Sequence, residues 1–132
     1  MRTPWEVLAA VAAGGALGAA ARSGLAAAWT TPPGGFPWAT LLVNLTGCAV
    51  LGALLELLAR LTVPPRLARP FLGTGLLGGF TTFSAYALET RTLVAAGRPG
   101  LAAGYLAGTL VGALAAVWLG MLGVRLTGRR DG

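Results

Sequence analysis

A run of nine residues in the second half of the chain places glycines, hydroxyl groups and aromatic rings inside an apolar segment. The run is Gly78-Gly79-Phe80-Thr81-Thr82-Phe83-Ser84-Ala85-Tyr86. Adjacent glycines and β-branched threonines weaken a helix, so the pattern predicts a break near Gly78 to Thr82. Irregular backbone at membrane depth is tolerated only where protein buries it or it lines a cavity, and the freed carbonyls coordinate small cations. The alternative is a kinked helix whose hydroxyl groups bond to their own backbone.

The polar and aromatic side chains of this region are suited to a small anion. The rings of Phe80 and Phe83 present edges that carry the positive part of the aromatic quadrupole. Such groups could solvate an anion without a full positive charge, as conduction requires binding that is strong enough for entry and weak enough for exit. Neutral hydrogen-bond donors come from Asn44, Thr81, Thr82, Ser84 and Tyr86.

Arg22 lies near the end of the first apolar segment. Its charge could raise the anion concentration at a vestibule of the path. Equally, it could be an interfacial arginine whose stem follows the apolar surface while its head reaches water. The sequence leaves both interpretations open.

Composition indicates that lipid is the solvent of this chain. The apolar fraction is 55%, the charged fraction 11% and the mean hydropathy +0.73, whereas soluble domains carry roughly 25% charged residues. The net charge of +6 comes from arginines at the edges of apolar runs, which is typical of membrane flanks and not of a nucleic-acid surface. With no histidine and one cysteine, Cys48, the chain lacks the usual catalytic pairs and a zinc ligand set. We therefore expect no enzyme.

Four apolar segments reach the roughly 20 residues that a membrane helix needs. Proline- and glycine-rich stretches separate them. The start resembles a secretory signal, but its apolar character continues past Arg22, so we predict a first membrane helix. The predicted fold is a single all-α domain, residues 1–132, with four transmembrane helices, the third broken at mid-membrane. The spans are approximately 5–29, 38–61, 70–96 and 101–126.

The arginines are distributed unevenly between the two membrane sides. Four spans place both termini and the loop between spans two and three on one side. That side would hold seven arginines against three, which predicts a multi-pass protein of the cell membrane with cytoplasmic termini. The seven are Arg2, Arg60, Arg66, Arg69, Arg125, Arg129 and Arg130, and the three are Arg22, Arg91 and Arg98.

Small residues recur at four-residue spacing in two spans. Such stripes let helix backbones approach closely in lipid, and we interpret them as packing surfaces of a bundle that is small enough to form an oligomer. The stripes are Gly104, Gly108, Gly112, Ala116 and Gly120 in the fourth span, and Gly14 and Gly18 in the first.

Three motifs in a fixed order carry a resemblance to a known family. The first is Gly14-Gly15-Ala16-Leu17-Gly18-Ala19-Ala20-Ala21-Arg22, the second is Thr40-Leu41-Leu42-Val43-Asn44-Leu45-Thr46-Gly47 ending at Gly52, and the third is Gly75-Leu76-Leu77-Gly78-Gly79-Phe80-Thr81-Thr82-Phe83-Ser84. Together with the length and the four spans, they resemble the CrcB/Fluc fluoride channels over essentially the whole chain.

The resemblance implies an antiparallel dimer with two fluoride pores along the subunit interface, which would export fluoride passively and lower its toxicity. It also implies one structural sodium ion at the dimer centre, held by backbone carbonyls of Gly78 and Thr81 from each subunit. Asn44 would be a pore donor and Phe83 the first ring of an aromatic pair. The polar track of the fourth helix would comprise Tyr105 and Thr109, with Glu89 nearby.

Three positions depart from the family pattern. Tyr86 stands where a second phenylalanine is usual, Ala85 replaces a threonine, and Ala113 replaces a serine of the fourth-helix track. The hydroxyl of Tyr86 could donate to fluoride or narrow the path. The departures bear on conduction through the pore surfaces of this chain and not on its fold.

The partner and the rival functions follow from charge placement. An antiparallel homodimer needs one chain to insert in both orientations, whereas seven arginines against three suggest a fixed orientation and a heterodimer with an oppositely oriented homologue.

The main alternative function is a small four-helix multidrug or cation exporter, which needs a carboxylate deep in the first span. Glu6, Glu56 and Glu89 all lie toward the ends of spans. A non-transporting scaffold would leave the polar run unexplained.

Overall fold

The computed structural model describes residues 4–129, so Arg2 and Arg130 of the charge distribution lie outside the described residues. Every regular element in that range is helical. The helices are α1 (Pro4–Ala28), α2 (Trp38–Arg60), α3 (Arg69–Leu77), α4 (Gly78–Phe80), α5 (Ser84–Ala95) and α6 (Pro99–Gly128).

Three helices, α1, α2 and α6, are long and apolar enough to cross a membrane. Their ends fall within two residues of the predicted spans 5–29, 38–61 and 101–126. On α6, Val111, Leu114 and Trp118 each expose more than half of their surface. Outward apolar side chains of this kind are expected where lipid surrounds a helix.

The connection from α5 to α6 shows why the predicted boundary there is accurate. Gly97 has φ +75°, a conformation that costs glycine little. Its N–H donates to Val94 and the N–H of Arg98 donates to Leu93, which is the Schellman arrangement that satisfies the last carbonyls of a helix. Pro99 then begins α6 at the position where a missing N–H does no harm.

The third predicted span, 70–96, is divided between three elements. α3 is a π-helix, in which the N–H of Gly78 reaches the carbonyl of Gly73 five residues back, and α4 continues it as far as Phe80. Thr81 is extended, with φ −77° and ψ 155°, and α5 begins at Ser84. The predicted interruption is present.

The position of the interruption corrects one expectation. The adjacent glycines do not break the helix, since Gly78 has helical angles of φ −64° and ψ −37°. Gly79 instead permits close packing, because a Cβ there would overlap the carbonyl oxygen of Gly15 on α1. The chain leaves the helix at Thr81, three residues after Gly78, and the non-helical segment extends to Phe83.

Helix packing uses some of the predicted small residues and not others. α1 packs mainly on α3 and α4, and α2 packs mainly on α6. Between α2 and α6, a Cβ on Gly52 or Gly120 would overlap the backbone of the facing helix. A Cβ added at Gly104 or Gly108, however, would have no neighbouring atom within 4 Å in the described part of the chain. These two glycines therefore do not serve helix packing inside the subunit.

Candidate functional site

The side chain of Asn44, which lies on α2 and is buried, bonds to the backbone at the break between α4 and α5. Its Nδ2 donates to the carbonyl of Thr82 at 3.0 Å, and the N–H of Thr82 donates to its Oδ1 at 2.8 Å. A carboxamide offers one acceptor and a donor pair, so Asn44 stands in for the peptide group that a continuous helix would have supplied. One N–H of Asn44 remains free of these two bonds.

The two threonines of the break complete opposite helix ends. Thr81 Oγ1 donates back to the carbonyl of Leu77 at 2.9 Å, a local bond typical of threonine. Thr82 Oγ1 accepts from the N–H of Ala85 at 3.2 Å, as a capping hydroxyl does at the start of a helix. The Thr81 proton is therefore committed to its own helix, whereas Thr82 keeps its hydroxyl proton for another acceptor.

These bonds change what the backbone carbonyls at the break can do. In a continuous helix the carbonyls of Gly78 and Thr81 would accept from the N–H groups four residues later. Those are the N–H groups of Thr82 and Ala85, which donate instead to Asn44 Oδ1 and Thr82 Oγ1. Among residues 4–129, no hydrogen bond outside the helices ends on either carbonyl. Two carbonyl oxygens freed at a broken helix are the ligand type that a small hard cation takes.

Arg22 lies at the break. Its Nε donates to the carbonyl of Gly79 at 3.3 Å, near the C-terminal end of α4. It also lines a cavity of about 90 Å³ together with Thr40, Thr82 and Glu89. The guanidinium is thus bonded to the protein beside the polar run, and both interpretations of Arg22 stay predictions.

A larger groove, of about 290 Å³, runs on the α6 side of the break. Phe83 stands at its edge with 78% of its surface exposed. Thr109 is buried, with 6% exposed, and its hydroxyl has no hydrogen-bond partner in the described part of the chain. Of the predicted site residues, Gly78, Phe80, Ser84, Tyr105 and Arg22 do not line this groove. Its lining comprises Asn44, Cys48, Thr81, Thr82, Phe83, Tyr86, Thr109, Leu110 and Ala113.

Tyr86, where the family pattern has phenylalanine, uses its hydroxyl within the subunit. That hydroxyl donates to the carbonyl of Leu106 on α6 at 2.8 Å. The ring makes edge-to-face contacts with Phe83 and Tyr105 at centroid distances of 5.9 and 5.1 Å, within the range that favours aromatic pairs. The additional oxygen thus ties α5 to α6.

A cluster around Glu89 extends the polar track beyond Asn44. Thr40 donates to Glu89 Oε1 at 2.7 Å, and Tyr105, which is fully buried, donates to Oε2 at 2.8 Å. Tyr105 is among the residues predicted for the site from the sequence, whereas Thr40 is not. Helical spacing was the signal that could have found it, because Thr40 lies four residues before Asn44 and therefore on the same face of α2.

Replacing Glu89 by alanine is expected to lower the free energy of unfolding by about 1–3 kcal/mol for each hydroxyl that it leaves buried without an acceptor. Glu89→Gln should lower the free energy of unfolding by less, because the carbonyl oxygen of the glutamine can still accept from the hydroxyl of either Thr40 or Tyr105. Denaturant titration in mild detergent micelles would measure both. Equal stability of the alanine and glutamine variants would show that the cluster does not stabilise this end of the bundle.

Comparison with known proteins identifies a protein family to which this chain is similar over most of its length. A family model described as CrcB-like protein, Camphor Resistance (CrcB), matches residues 9–121, a range that includes α2, the break and the greater part of α6. The chain is 52% identical over 118 residues to the fluoride-specific ion channel FluC 1 of Streptomyces coelicolor, covering 89% of this chain and 77% of that protein. It is 56% identical over 113 residues to FluC 2 of Thermobifida fusca (86% and 84%) and 41% identical over 121 residues to FluC of Prosthecochloris aestuarii (92% and 94%).

Proposed function

This chain belongs to the CrcB family, and on that premise we propose that it is a fluoride-specific ion channel of the cell membrane. One observation carries the proposal: the side chain of Asn44 makes two hydrogen bonds to the backbone of Thr82 at the helix break. The break lies beside a groove with unused hydrogen-bond donors. The relatives named fluoride-specific channels are similar over most of their length. The proposal concerns ion passage and includes no catalysed reaction.

The fluoride path is proposed to follow the groove on the α6 side of the break. Thr109 supports this, because its buried hydroxyl has no acceptor among the described residues, and an anion in the groove could accept from it. Asn44 has one further N–H, Thr82 keeps its hydroxyl proton, and the exposed ring of Phe83 offers its edge. Ser84, at the start of α5, Phe80 and Tyr105 would act from outside the groove.

The functional unit is proposed to be an antiparallel dimer in which the two halves around the break form the third of four crossings. The open groove and the exposed ring of Phe83 favour a second subunit on this face. The partner would be a second copy or an oppositely oriented homologue, and the arginine excess favours cytoplasmic termini for this chain.

A structural sodium ion is proposed at the dimer centre, held by the carbonyls of Gly78 and Thr81 from each subunit. The diversion of their helical donors supports this assignment. When bound, the ion would neutralise carbonyl dipoles that face one another across the interface. Asn44 and Thr82 keep the backbone of each subunit in the shape that presents those oxygens.

The proposed physiological role is passive export. Fluoride enters cells as its neutral weak acid, dissociates in the more alkaline cytoplasm and is trapped as the anion. A selective path allows the membrane potential, worth about 2.3 kcal/mol per charge for each 100 mV, to drive the anion outward. The internal concentration of fluoride then falls without an energy source other than the potential.

Liposomes loaded with fluoride and containing the purified protein alone are expected to release it rapidly once a potassium ionophore dissipates the potential. A fluoride electrode would follow the release, and the same vesicles loaded with chloride should retain it. Release of fluoride without chloride would establish the channel and show that this chain suffices as a homodimer. If neither this chain alone nor this chain with an oppositely oriented homologue releases fluoride, the proposal is wrong.

A further inference from the structure

Several helix ends meet at one end of the molecule. Arg125 of α6 donates to Glu56 of α2 at 3.0 Å, and Glu56 also accepts from Arg60 at 3.4 Å. Glu6, near the start of α1, pairs with Arg66 in the loop between α2 and α3 at 2.6 Å. These contacts bring the ends of the three membrane-length helices together with that loop. Five arginines and two glutamates of the described residues lie at this end: Arg60, Arg66, Arg69, Arg125, Arg129, Glu6 and Glu56.

A groove of about 290 Å³ opens beside the same loop. Its walls combine an apolar floor with two guanidinium groups and include no acidic side chain. The groove is outside the break and shares no residue with the groove proposed for fluoride. It is lined by Leu58, Pro64, Pro65, Arg66 and Arg69.

The charges in the groove are only partly neutralised. Arg66 uses one terminal nitrogen on Glu6, while the side chain of Arg69 makes no hydrogen bond or ion pair within residues 4–129. In contrast, Arg60 and Arg125 share the carboxylate of Glu56. Positive charge is therefore concentrated at the mouth of the groove.

The loop that carries the groove exposes more apolar surface than is usual for a loop in water. Val63 exposes 85% of its surface, and Leu61 and Leu67 are also exposed. Exposed apolar side chains next to basic ones are typical of a surface that sits in the interfacial layer of a bilayer. The position at the end of three membrane-length helices agrees with that depth.

We propose that this groove binds the headgroup phosphate of an anionic phospholipid. Arg69 donates in a bidentate fashion to the phosphate oxygens, a geometry to which a guanidinium is suited, and Arg66 contributes its remaining N–H groups. Leu58, Pro64 and Pro65 contact the glycerol and the upper acyl chain, while Val63 anchors the loop among neighbouring lipids. The bound lipid links the α2–α3 loop to the start of α1 through Arg66.

The test measures lipid binding to the full-length protein in neutral detergent micelles by native mass spectrometry, with phosphatidylglycerol and phosphatidylcholine as probes. Phosphatidylglycerol should bind the unaltered protein more tightly than phosphatidylcholine. Arg69→Gln should weaken that binding about fivefold, which corresponds to about 1 kcal/mol for one arginine at an anionic surface. Arg69→Lys keeps the positive charge but not the bidentate guanidinium geometry, and it should weaken phosphatidylglycerol binding less than Arg69→Gln does. Arg91→Gln, an exposed arginine toward the other end of the molecule, is the matched control and should bind as the unaltered protein does.

Three results would overturn the proposal. Equal weakening by Arg69→Gln and Arg91→Gln would indicate diffuse attraction and no site. Competition by inorganic phosphate as effective as that by phosphatidylglycerol would assign the groove to a soluble phosphate compound. Binding that is insensitive to Arg69 would place the lipid elsewhere. Fluoride efflux from liposomes of neutral lipid should be unchanged by Arg69→Gln, which separates the lipid site from the proposed channel function.

Discussion

Asn44→Ala is expected to reduce fluoride efflux about 100-fold, which corresponds to about 2.7 kcal/mol, and to destabilise the fold at the same time. The substitution leaves the N–H and the carbonyl of Thr82 without partners, and each unsatisfied buried group costs about 1–3 kcal/mol. The break would then relax, so the carbonyls of Gly78 and Thr81 and the lining of the groove would move together. Fluoride efflux from liposomes and denaturant titration of the same preparation would measure the two effects.

Thr109→Val provides the matched comparison for Asn44→Ala. It removes a groove hydroxyl that has no partner among the described residues and nearly preserves the volume of the side chain. We expect slower efflux with unchanged or slightly higher stability, since no hydrogen bond is lost. If Asn44→Ala were as stable as the unaltered protein, the assignment of Asn44 as the residue that closes the break would be wrong.

Gly18→Ala is expected to lower the free energy of unfolding by about 3 kcal/mol, at the upper end of the usual cost of overpacking. A Cβ at this position would overlap the carbonyl of Leu76 and lie 2.7 Å from the backbone nitrogen of Phe80. Backbone atoms cannot rotate away as a side chain can, so α1 would have to separate from α3 and α4. Arg22, one turn further along the same face, would lose its bond to Gly79.

Gly24→Ala on the same helix is the control for this effect. Nothing lies within 4 Å of a Cβ at Gly24, and alanine is the better helix former. We expect its stability to stay within about 0.5 kcal/mol of the unaltered protein or to rise. Titrations of both variants with a denaturing detergent, followed by circular dichroism, would compare them directly. A Gly18→Ala protein as stable as Gly24→Ala would contradict the close packing of α1 on α3 and α4.

The sequence predicted the long helices well because their limits depend on local chemistry. Apolar length defined α1, α2 and α6 to within two residues. The connection predicted between spans 70–96 and 101–126 follows from Gly97 and Pro99, residues whose backbone preferences act within one turn, although α6 already begins at Pro99. The π-helical form of α3 was not predicted, since no sequence pattern distinguishes it from an ordinary apolar helix.

The details at the break could not be predicted because they depend on tertiary contacts. The pairing of Asn44 with Thr82 spans 38 residues, and nothing local to either residue indicates the other. Gly79 was expected to weaken the helix, yet its role is set by Gly15 on a different helix. The polar residues of the site could be listed from the sequence, and their roles stay predictions. Which of their hydroxyl groups already has an acceptor depends on tertiary neighbours: Tyr86 donates to Leu106, whereas Thr109 has no partner among the described residues.

The dependence of the break on α2 imposes an order on how the nascent chain enters the membrane. α5 has 12 residues, which at 1.5 Å each extend only about 18 Å, short of the roughly 30 Å of a hydrocarbon core. Bare peptide groups around Thr82 would be costly in lipid. The ribosome delivers Asn44 before Thr82, so the carboxamide is already in place when the interrupted segment arrives. A circular permutant that begins after α2 would lose this order and should insert the interrupted segment α3–α5 poorly, although its mature contacts would be the same.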